Sequence, residues 1–267
     1  MAQKDTLSDL QVLISVITVC LNAAATIAET AESIQSQGYS PLEWLVIDGG
    51  STDSTIDIVY RFKKLRPRVI VVKGSSIYEA MNLGIQMARG SVAGFLNADD
   101  CFATESALQT IADSFTQSRA DCVYADMSVY SQRLRAVIRY WQPGPFVEGA
   151  FHVGWMAPHP TFYVRTSMLR EHQFDSRLKV AADLKQQLII FGQIHLRWFY
   201  VPVALVQMKS GGVSNRSLVA LSRNLIEAAS VIHPHSRWLQ IRYFIRVIGH
   251  RLPQVQWKAI IFSCIRA

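Results

Sequence analysis

Residues 77–100 read IYEAMNLGIQMARGSVAGFLNADD. Ser76 and Glu79 have the spacing of a capping box, which predicts a helix running from there to about Arg89. Past Gly90 the pattern becomes an unbroken apolar run, Val92–Leu96, as in a strand covered on both faces. Asn97-Ala98-Asp99-Asp100 then stands at the strand's C-terminal end. Helix, tight turn, buried strand and polar terminus together make the unit of a parallel sheet.

The flanking sequence is built the same way. Upstream, Val12–Leu21 reads as a buried strand, and Ala23–Gln37 has helical spacing through Ile27, Ala31 and Ile34. Gly38, Ser40 and Pro41 end that helix. Trp44–Ile47 is a second strand, stopped by Asp48, Gly49 and Gly50. Ser51–Thr55 is dense in helix-capping residues and leads into a helix over Ile56–Leu65, followed by a strand at Val69–Val72. Downstream come a helix over Ala107–Phe115 and a short strand at Cys122–Tyr124. Pro143, Gly144 and Pro145 mark a soft boundary, after which His159–Val164 and Trp198–Val203 read as strands and Ala182–Phe191 as a helix. Gly211-Gly212 leads into a mostly helical end. The expected fold is α/β: a mostly parallel central sheet flanked by helices, with a helical C-terminal extension. One domain is expected over 1–227, its halves 12–142 and 143–227, followed by an extension over 228–267.

Composition narrows the class. Half of the 267 residues are apolar and 18% are charged, which excludes a disordered chain. No apolar run reaches the ~18 residues of a membrane span. The start, MAQKDTLSDLQ, lacks the basic-then-apolar order of a secretory signal. Cys20, Cys101, Cys122 and Cys264 include no Cys-x-x-Cys, so a zinc site or disulfide framework is not expected, and a reducing cytoplasm is. The net charge of +7 is unevenly placed. Residues 228–267 hold Arg237, Arg242, Arg246, Arg251, Lys258 and Arg266 and no Asp or Glu, which leaves the first 227 residues close to neutral. Trp238, Ile241, Phe244, Ile245, Trp257 and Phe262 are interleaved with these charges, and Pro253 separates two amphipathic segments. Two readings stand open: a helix that docks on an anionic membrane surface, and one that packs on the domain with a solvated basic face. No nucleic-acid motif accompanies the charge, so nucleic acid is not an expected partner.

In an open parallel sheet, ligands gather beyond the C-terminal strand ends. There the chain places Cys20 and Asn22, then Asp48 through Asp53, then Asn97 through Asp100. Asp53 reads as a helix cap. Asp99 and Asp100 are adjacent carboxylates that repel unless a cation or hydrogen bonds compensate, and hard oxygen ligands suit Mg²⁺ or Mn²⁺. No Gly-x-Gly-x-x-Gly, P-loop or Gly-x-Ser-x-Gly occurs, which speaks against dinucleotide dehydrogenases, P-loop NTPases and α/β-hydrolases.

Four stretches, 14–27, 43–59, 77–100 and 159–188, resemble family 2 glycosyltransferases with the GT-A fold, especially bacterial transferases of exopolysaccharide assembly such as colanic acid. The likeness runs over about 200 residues, from 12 to roughly 213. It implies that Asp48 holds the nucleotide base, with Val19 beside it. It implies that Asn97-Ala98-Asp99 stands for the family's Asp-x-Asp, with Asp99 the ligand of a cation bridging the donor's diphosphate. Asp183 would be the general base of an inverting transfer, and His159 would lie on the acceptor side. Gly211-Gly212-Val213-Ser214 resembles a late family motif. Without the resemblance, Asp183 reads better as a helix cap and His159 equally as a turn residue; His233-Pro-His235 reads as a loop.

The sequence departs from the family pattern at Asn97, at Ala182 in place of a Glu, and in the short Lys73-Gly74-Ser75-Ser76 loop. Gln193–Trp198 has one residue too many for the Gln-x-x-Arg-Trp of processive synthases, so single addition is expected. The expected donor is a nucleotide-diphosphate sugar, and the expected acceptor a saccharide or lipid-linked saccharide at the inner face of the cytoplasmic membrane. Two alternatives remain: a silent nucleotide-sugar-binding module and a sugar-nucleotide nucleotidyltransferase.

Overall fold

Four strands, β1 (Ile14–Cys20), β2 (Leu42–Asp48), β3 (Arg68–Val71) and β4 (Val92–Phe95), lie side by side in the order β3-β2-β1-β4, all parallel. The computed structural model describes residues 11–210 and 218–251. The Gly211–Ser214 motif and the tail beyond 251, with Pro253, Trp257, Lys258, Phe262, Cys264 and Arg266, lie outside the described residues.

The sheet continues through the second half of the chain. β5 (Cys101–Phe102), β6 (Cys122–Ser131), β7 (Ala136–Trp141), β8 (Tyr163–Arg165) and β9 (Trp198–Lys209) bring the sheet to nine strands among the described residues. β8 is antiparallel to both β4 and β6, and β6 is parallel to β9, so β1 to β4, β6 and β9 all point one way. β5, β7 and β8 oppose them. Gly94 lets β8 come close: a Cβ there would meet the Tyr163 ring at 2.6 Å.

Helices cover both faces. α1 (Ile27–Gln35), α2 (Thr55–Arg61) and α4 (Ala107–Ser118) enclose one core with Val16, Trp44 and Val46 of the strands. α3 (Ile77–Met87), α5 (Thr166–Glu171) and α6 (Ala182–Phe191) enclose the other with Ile17, Leu45 and Ile47. Neighbouring strand residues thus divide between the two cores, as the period of two requires. The Ser76–Glu79 capping box forms as expected.

Several elements differ from expectation. The strand expected at Cys122–Tyr124 extends to Ser131 and turns back as β7. Residues 132–135 have no Gly, Asn or Asp to announce the turn, and Arg135 itself takes the left-handed conformation (φ 49°). His159–Thr161 forms a 3-10 turn before β8, and β9 runs six residues past Val203.

α7 (Leu218–Ile232) and α8 (Arg237–Arg251) form the described C-terminal segment. α7 continues unbroken through residue 228 and contacts α6; α8 contacts α7 and the 3-10 turn at Ala150–Val153. His233-Pro-His235 makes the turn between α7 and α8, with the His233 ring 5.1 Å from that of His152. α8 faces two ways. Tyr243 and Val247 are buried, while Trp238, Ile241 and Ile245 are 61–64% exposed. The Arg242 guanidinium lies 4.5 Å above the Trp238 ring. Of the two readings of the tail, inward packing thus accounts for one side of α8, and among the described residues nothing covers the other, which is apolar and cationic.

Candidate functional site

The loops after β1 and β2 are laced together. Asn22 takes a left-handed conformation (φ 50°); its Oδ1 accepts from the Thr52 N–H (2.9 Å), and its own N–H donates to Ser51 Oγ (2.8 Å). Asp53 Oδ1 accepts from the N–H of Thr55, the first residue of α2, and Oδ2 accepts from the Ala24 N–H. The cap position of α2 is Ser54, so Asp53 stands one residue before it; from there it takes the Thr55 N–H and ties the start of α2 to the β1 loop.

Asp48 is 1% exposed. Its Oδ2 accepts from the Gly50 and Ser51 N–H groups at 2.9 and 2.7 Å, and its Oδ1 from the Ser51 hydroxyl and the Cys20 thiol. Burial and this carboxylate push the Cys20 thiol well above its ordinary pKa. In this arrangement the carboxylate shapes the Gly49–Ser51 turn. Val19, half-buried, is paired with Ile47; the residue directly across from Asp48 is Cys20. Gly50 has φ 96°, and a Cβ there would meet Lys73 Cγ at 2.7 Å, so the shortened loop lays an exposed lysine across this turn.

At the end of β4, Asn97 Nδ2 donates to Asp100 Oδ2 at 2.8 Å. Asp100 is 1% exposed and its Oδ1 has no hydrogen-bond partner. Burial, then the neighbouring Asp99 charge, raises its pKa to about 7. The neutral residue at 97 thereby acquires a physical reason: an amide can donate to this buried carboxyl, whereas a second carboxylate would repel it. Asp99 remains partly exposed at the strand end. Among the described residues no three His, Cys, Asp or Glu side chains form a metal-binding group. A partly exposed carboxylate next to a buried one with an unpartnered oxygen fits a Mg²⁺-type ion, which takes one or two carboxylates and completes its shell with water and phosphate.

Asp183 sits in the first turn of α6, whose cap position is Ala181, so the cap reading of Asp183 does not hold. Its Oδ1 accepts from the next N–H, that of Leu184. An aromatic chain links its loop to β4. His159 stacks on Phe95 at 5.3 Å, Phe174 meets both of those rings edge-on, and Tyr78 lies 5.5 Å from Phe174. The Tyr78 hydroxyl donates to the Val180 carbonyl at 2.6 Å, three residues before Asp183. Both ring nitrogens of His159 are shut off from solvent without a partner, and burial lowers its pKa to about 4, so the ring is neutral at physiological pH.

Tyr78 and Asn82 were not singled out from sequence. Asn82 Nδ2 donates to the Phe174 carbonyl and Asn82 Oδ1 accepts the Phe174 N–H, at 2.9 and 2.8 Å. The two residues are four apart and share a face of α3, a spacing that could have flagged them. Glu227 of α7 also escaped notice; its carboxylate accepts three backbone N–H groups just before α6. A cavity of about 240 Å³, lined by Phe146, Phe151, Phe191 and Trp198 among others, opens at the far end of α6 from Asp183 and is separate from these carboxylates.

Comparison with known proteins agrees with this arrangement. The family model described as "Glycosyl transferase family 2" matches residues 15–174. A "PGL/p-HBAD biosynthesis glycosyltransferase" of Mycobacterium bovis is 27% identical over 258 residues, which are 95% of this chain and 96% of that protein. An Escherichia coli "UDP-Glc:alpha-D-GlcNAc-diphosphoundecaprenol beta-1,3-glucosyltransferase", WfaP, is 35% identical over 95 residues, 34% of this chain and 37% of its own. Among solved structures, Staphylococcus aureus TarS 1-349 in complex with UDP-GlcNAc superposes with a TM-score of 0.67 at 19% identity, covering 88% of this chain and 72% of that one. The longer TarS chain is covered over 42% of its length. The mannosyltransferase PcManGT of Pyrobaculum calidifontis, with GDP-Man and Mn²⁺, superposes with a TM-score of 0.63 at 17% identity, covering 95% and 75%. The structural likenesses establish the fold, which is the expected GT-A arrangement.

Proposed function

The chain belongs to glycosyl transferase family 2, and from that membership we propose that it moves one sugar from a nucleoside-diphosphate donor to a hydroxyl of a saccharide or lipid-linked saccharide, with inversion, in building a cell-surface polysaccharide. The observation that carries the proposal is the placement of Asp48 and Asp99 after β2 and β4, the two parallel strands that flank β1, with the Asp183 loop tied to the same edge through Tyr78, Phe174 and His159. The Asp48 turn, with Asn22 and Val19 beside it, is the proposed seat of the nucleotide. Asn97 supports it indirectly by holding Asp100. Mg²⁺ or Mn²⁺ held by Asp99 and the donor's phosphates would stabilise the charge that grows on the leaving diphosphate. Asp183 takes the proton from the acceptor hydroxyl as it attacks the anomeric carbon. Attack from the face opposite the leaving group inverts that carbon, and one protein carboxylate suffices. Neutral His159 cannot add charge there, and we assign it to the shape of the acceptor side.

The nucleotidyltransferase alternative needs a Gly-rich basic loop after β1, and residues 20–26, CLNAAAT, have neither Gly nor Lys. A thermal-shift panel of UDP-glucose, UDP-N-acetylglucosamine and GDP-mannose, with and without Mn²⁺, tests donor binding. Ligand at 100-fold its Kd stabilises by about 2.7 kcal/mol, a rise of several degrees. A flat panel under every condition would remove the donor reading.

For the acceptor and the place of action, α8 lends support to the same reading. A lipid-linked acceptor, of the kind named for WfaP, stays in the bilayer, and no helix among the described residues is long and apolar enough to cross a membrane. The uncovered face of α8, with Trp238, Ile241 and Ile245 between Arg237, Arg242 and Arg246, suits the surface of an anionic leaflet. Each basic residue near such a leaflet contributes about 1 kcal/mol, within a Debye length of ~10 Å at 0.1 M salt. The chain should co-sediment with phosphatidylserine vesicles at low salt and be released at high salt. The triple variant Trp238→Ser, Ile241→Ser, Ile245→Ser should stay in the supernatant with its melting temperature unchanged, because these side chains face outward. Equal sedimentation of both proteins would sink the docking surface.

A further inference from the structure

We propose that Glu227 is a positioning residue for Asp183, holding its loop from behind through the C-terminal segment. The inference rests on the reading of Asp183 as the base. Glu227 stands on α7, beyond the stretch that the family model covers. Its Oε1 accepts the Lys179 N–H at 3.0 Å, and its Oε2 accepts the N–H groups of Val180 and Ala181 at 2.7 and 2.8 Å. These are the last N–H groups before α6, and a carboxylate at this end of the helix is favoured by its dipole. Desolvation would raise the Glu227 carboxyl, but the amides of Lys179, Ala181 and Val180 outweigh it and hold the pKa below the ordinary value. On the other side, the Tyr78 hydroxyl takes the Val180 carbonyl. The backbone two to four residues before Asp183 is thus gripped from α7 and from α3 at once. Of the nearby bases, Arg177 and Lys185 are both bonded to Asp175, while the Lys179 charge adds to keeping Glu227 ionised.

A carboxylate is the group this geometry demands. Three donors converge on two oxygens; a carboxamide keeps one acceptor and turns an N–H₂ toward another N–H. Released, the loop can drift, and a misplacement of about 1 Å is enough to cost on the order of 10²-fold in rate. Donor binding is assigned to other strand ends and should not follow.

The test is a double-mutant cycle of Glu227→Ala and Glu227→Gln, each alone and combined with Asp183→Asn. Three quantities are read: melting temperature, Kd for UDP with Mn²⁺ by calorimetry, and kcat for hydrolysis of whichever sugar nucleotide raises the melting temperature in the panel above, with water taking the acceptor's place. Glu227→Ala should lower kcat by roughly 10- to 100-fold, and Glu227→Gln by less, with Kd unchanged. In the Asp183→Asn background Glu227→Ala should cost nothing further, since a residue that acts only through the base has no effect once the base is gone. If Glu227→Ala keeps full kcat while Asp183→Asn is inactive, the positioning role falls and the base stands. If Asp183→Asn turns over normally, it is the base reading that falls. Additive losses, or a Kd that weakens in step with kcat, would mean that Glu227 only supports the fold, and would overturn the inference; Glu227→Gln, which keeps the size of the side chain, supplies the reading if Glu227→Ala does not fold.

Discussion

Asp183→Asn should abolish transfer, by a hundredfold or more, while nucleotide binding stays near normal. The acceptor hydroxyl must lose its proton as it attacks, and a carboxamide cannot take it; general-base removal costs about 10²- to 10⁴-fold. The substitution is nearly isosteric and still offers an oxygen to the Leu184 N–H, so the first turn of α6 should survive. The nucleotide is assigned to the ends of β1, β2 and β4, which the Tyr78–Phe174–His159 chain links to the Asp183 loop. Initial rates and calorimetry on the same preparation check both halves of the expectation. Turnover within a few-fold of the parent would remove Asp183 from the mechanism.

Asp99→Ala should remove the metal-dependent part of donor binding, leaving the affinity for UDP with Mn²⁺ equal to that for UDP alone. The partly exposed Asp99 carries the charge that an alanine cannot replace. Asn97→Ala should act differently. Its amide is the donor to Asp100 Oδ2, and Asp100 Oδ1 already lacks a partner. Losing that bond takes the side-chain donor from a buried carboxyl and costs about 1–3 kcal/mol of stability, with a smaller effect on donor affinity. Calorimetry and thermal denaturation separate the two roles; equal losses of metal-dependent affinity in both variants would refute the assignment.

Much of the parallel half was legible because its signals are local. The capping box at Ser76, the apolar run Val92–Phe95 and the polar strand ends each fall within a few residues of sequence. The β6–β7 hairpin was not legible, because a left-handed Arg135 does the work of a turn glycine and nothing in its neighbours announces it. Residues 159–161 looked extended, yet the chain needs a 3-10 turn there to set His159 on Phe95 before β8 begins. Of the proposed site, Asp99 and Asp183 could be named from the family likeness, while the bonds around them, from Asn97 to Asp100 and from the 179–181 backbone to Glu227, could not. Asn97 looked like a defect of the motif until its bond to Asp100 was seen. Glu227 in NLIEAASVI reads as one solvated face of an amphipathic helix; its partners lie 46 to 48 residues away, beyond any periodicity.

The place of β8 bears on how the chain is made. Tyr163–Arg165 lies between β4 and β6 although it follows both in sequence, pairing Val92 and Ala93 on one side and Cys122 and Val123 on the other. Thr166 adds its hydroxyl bond to the Gly90 carbonyl, and Arg165 its guanidinium to Asp121. During synthesis, β4 and β6 leave the ribosome with these edges unpaired and must wait for β8, and exposed strand edges are what chaperones shield and aggregates recruit. The Pro143–Pro145 break, which looks like a seam in the sequence, is therefore a poor place to divide the gene. A fragment ending there would leave the facing edges of β4 and β6 open, whereas one ending after Glu171 would carry the strand that joins them and leave β6 and β5 waiting only for β9.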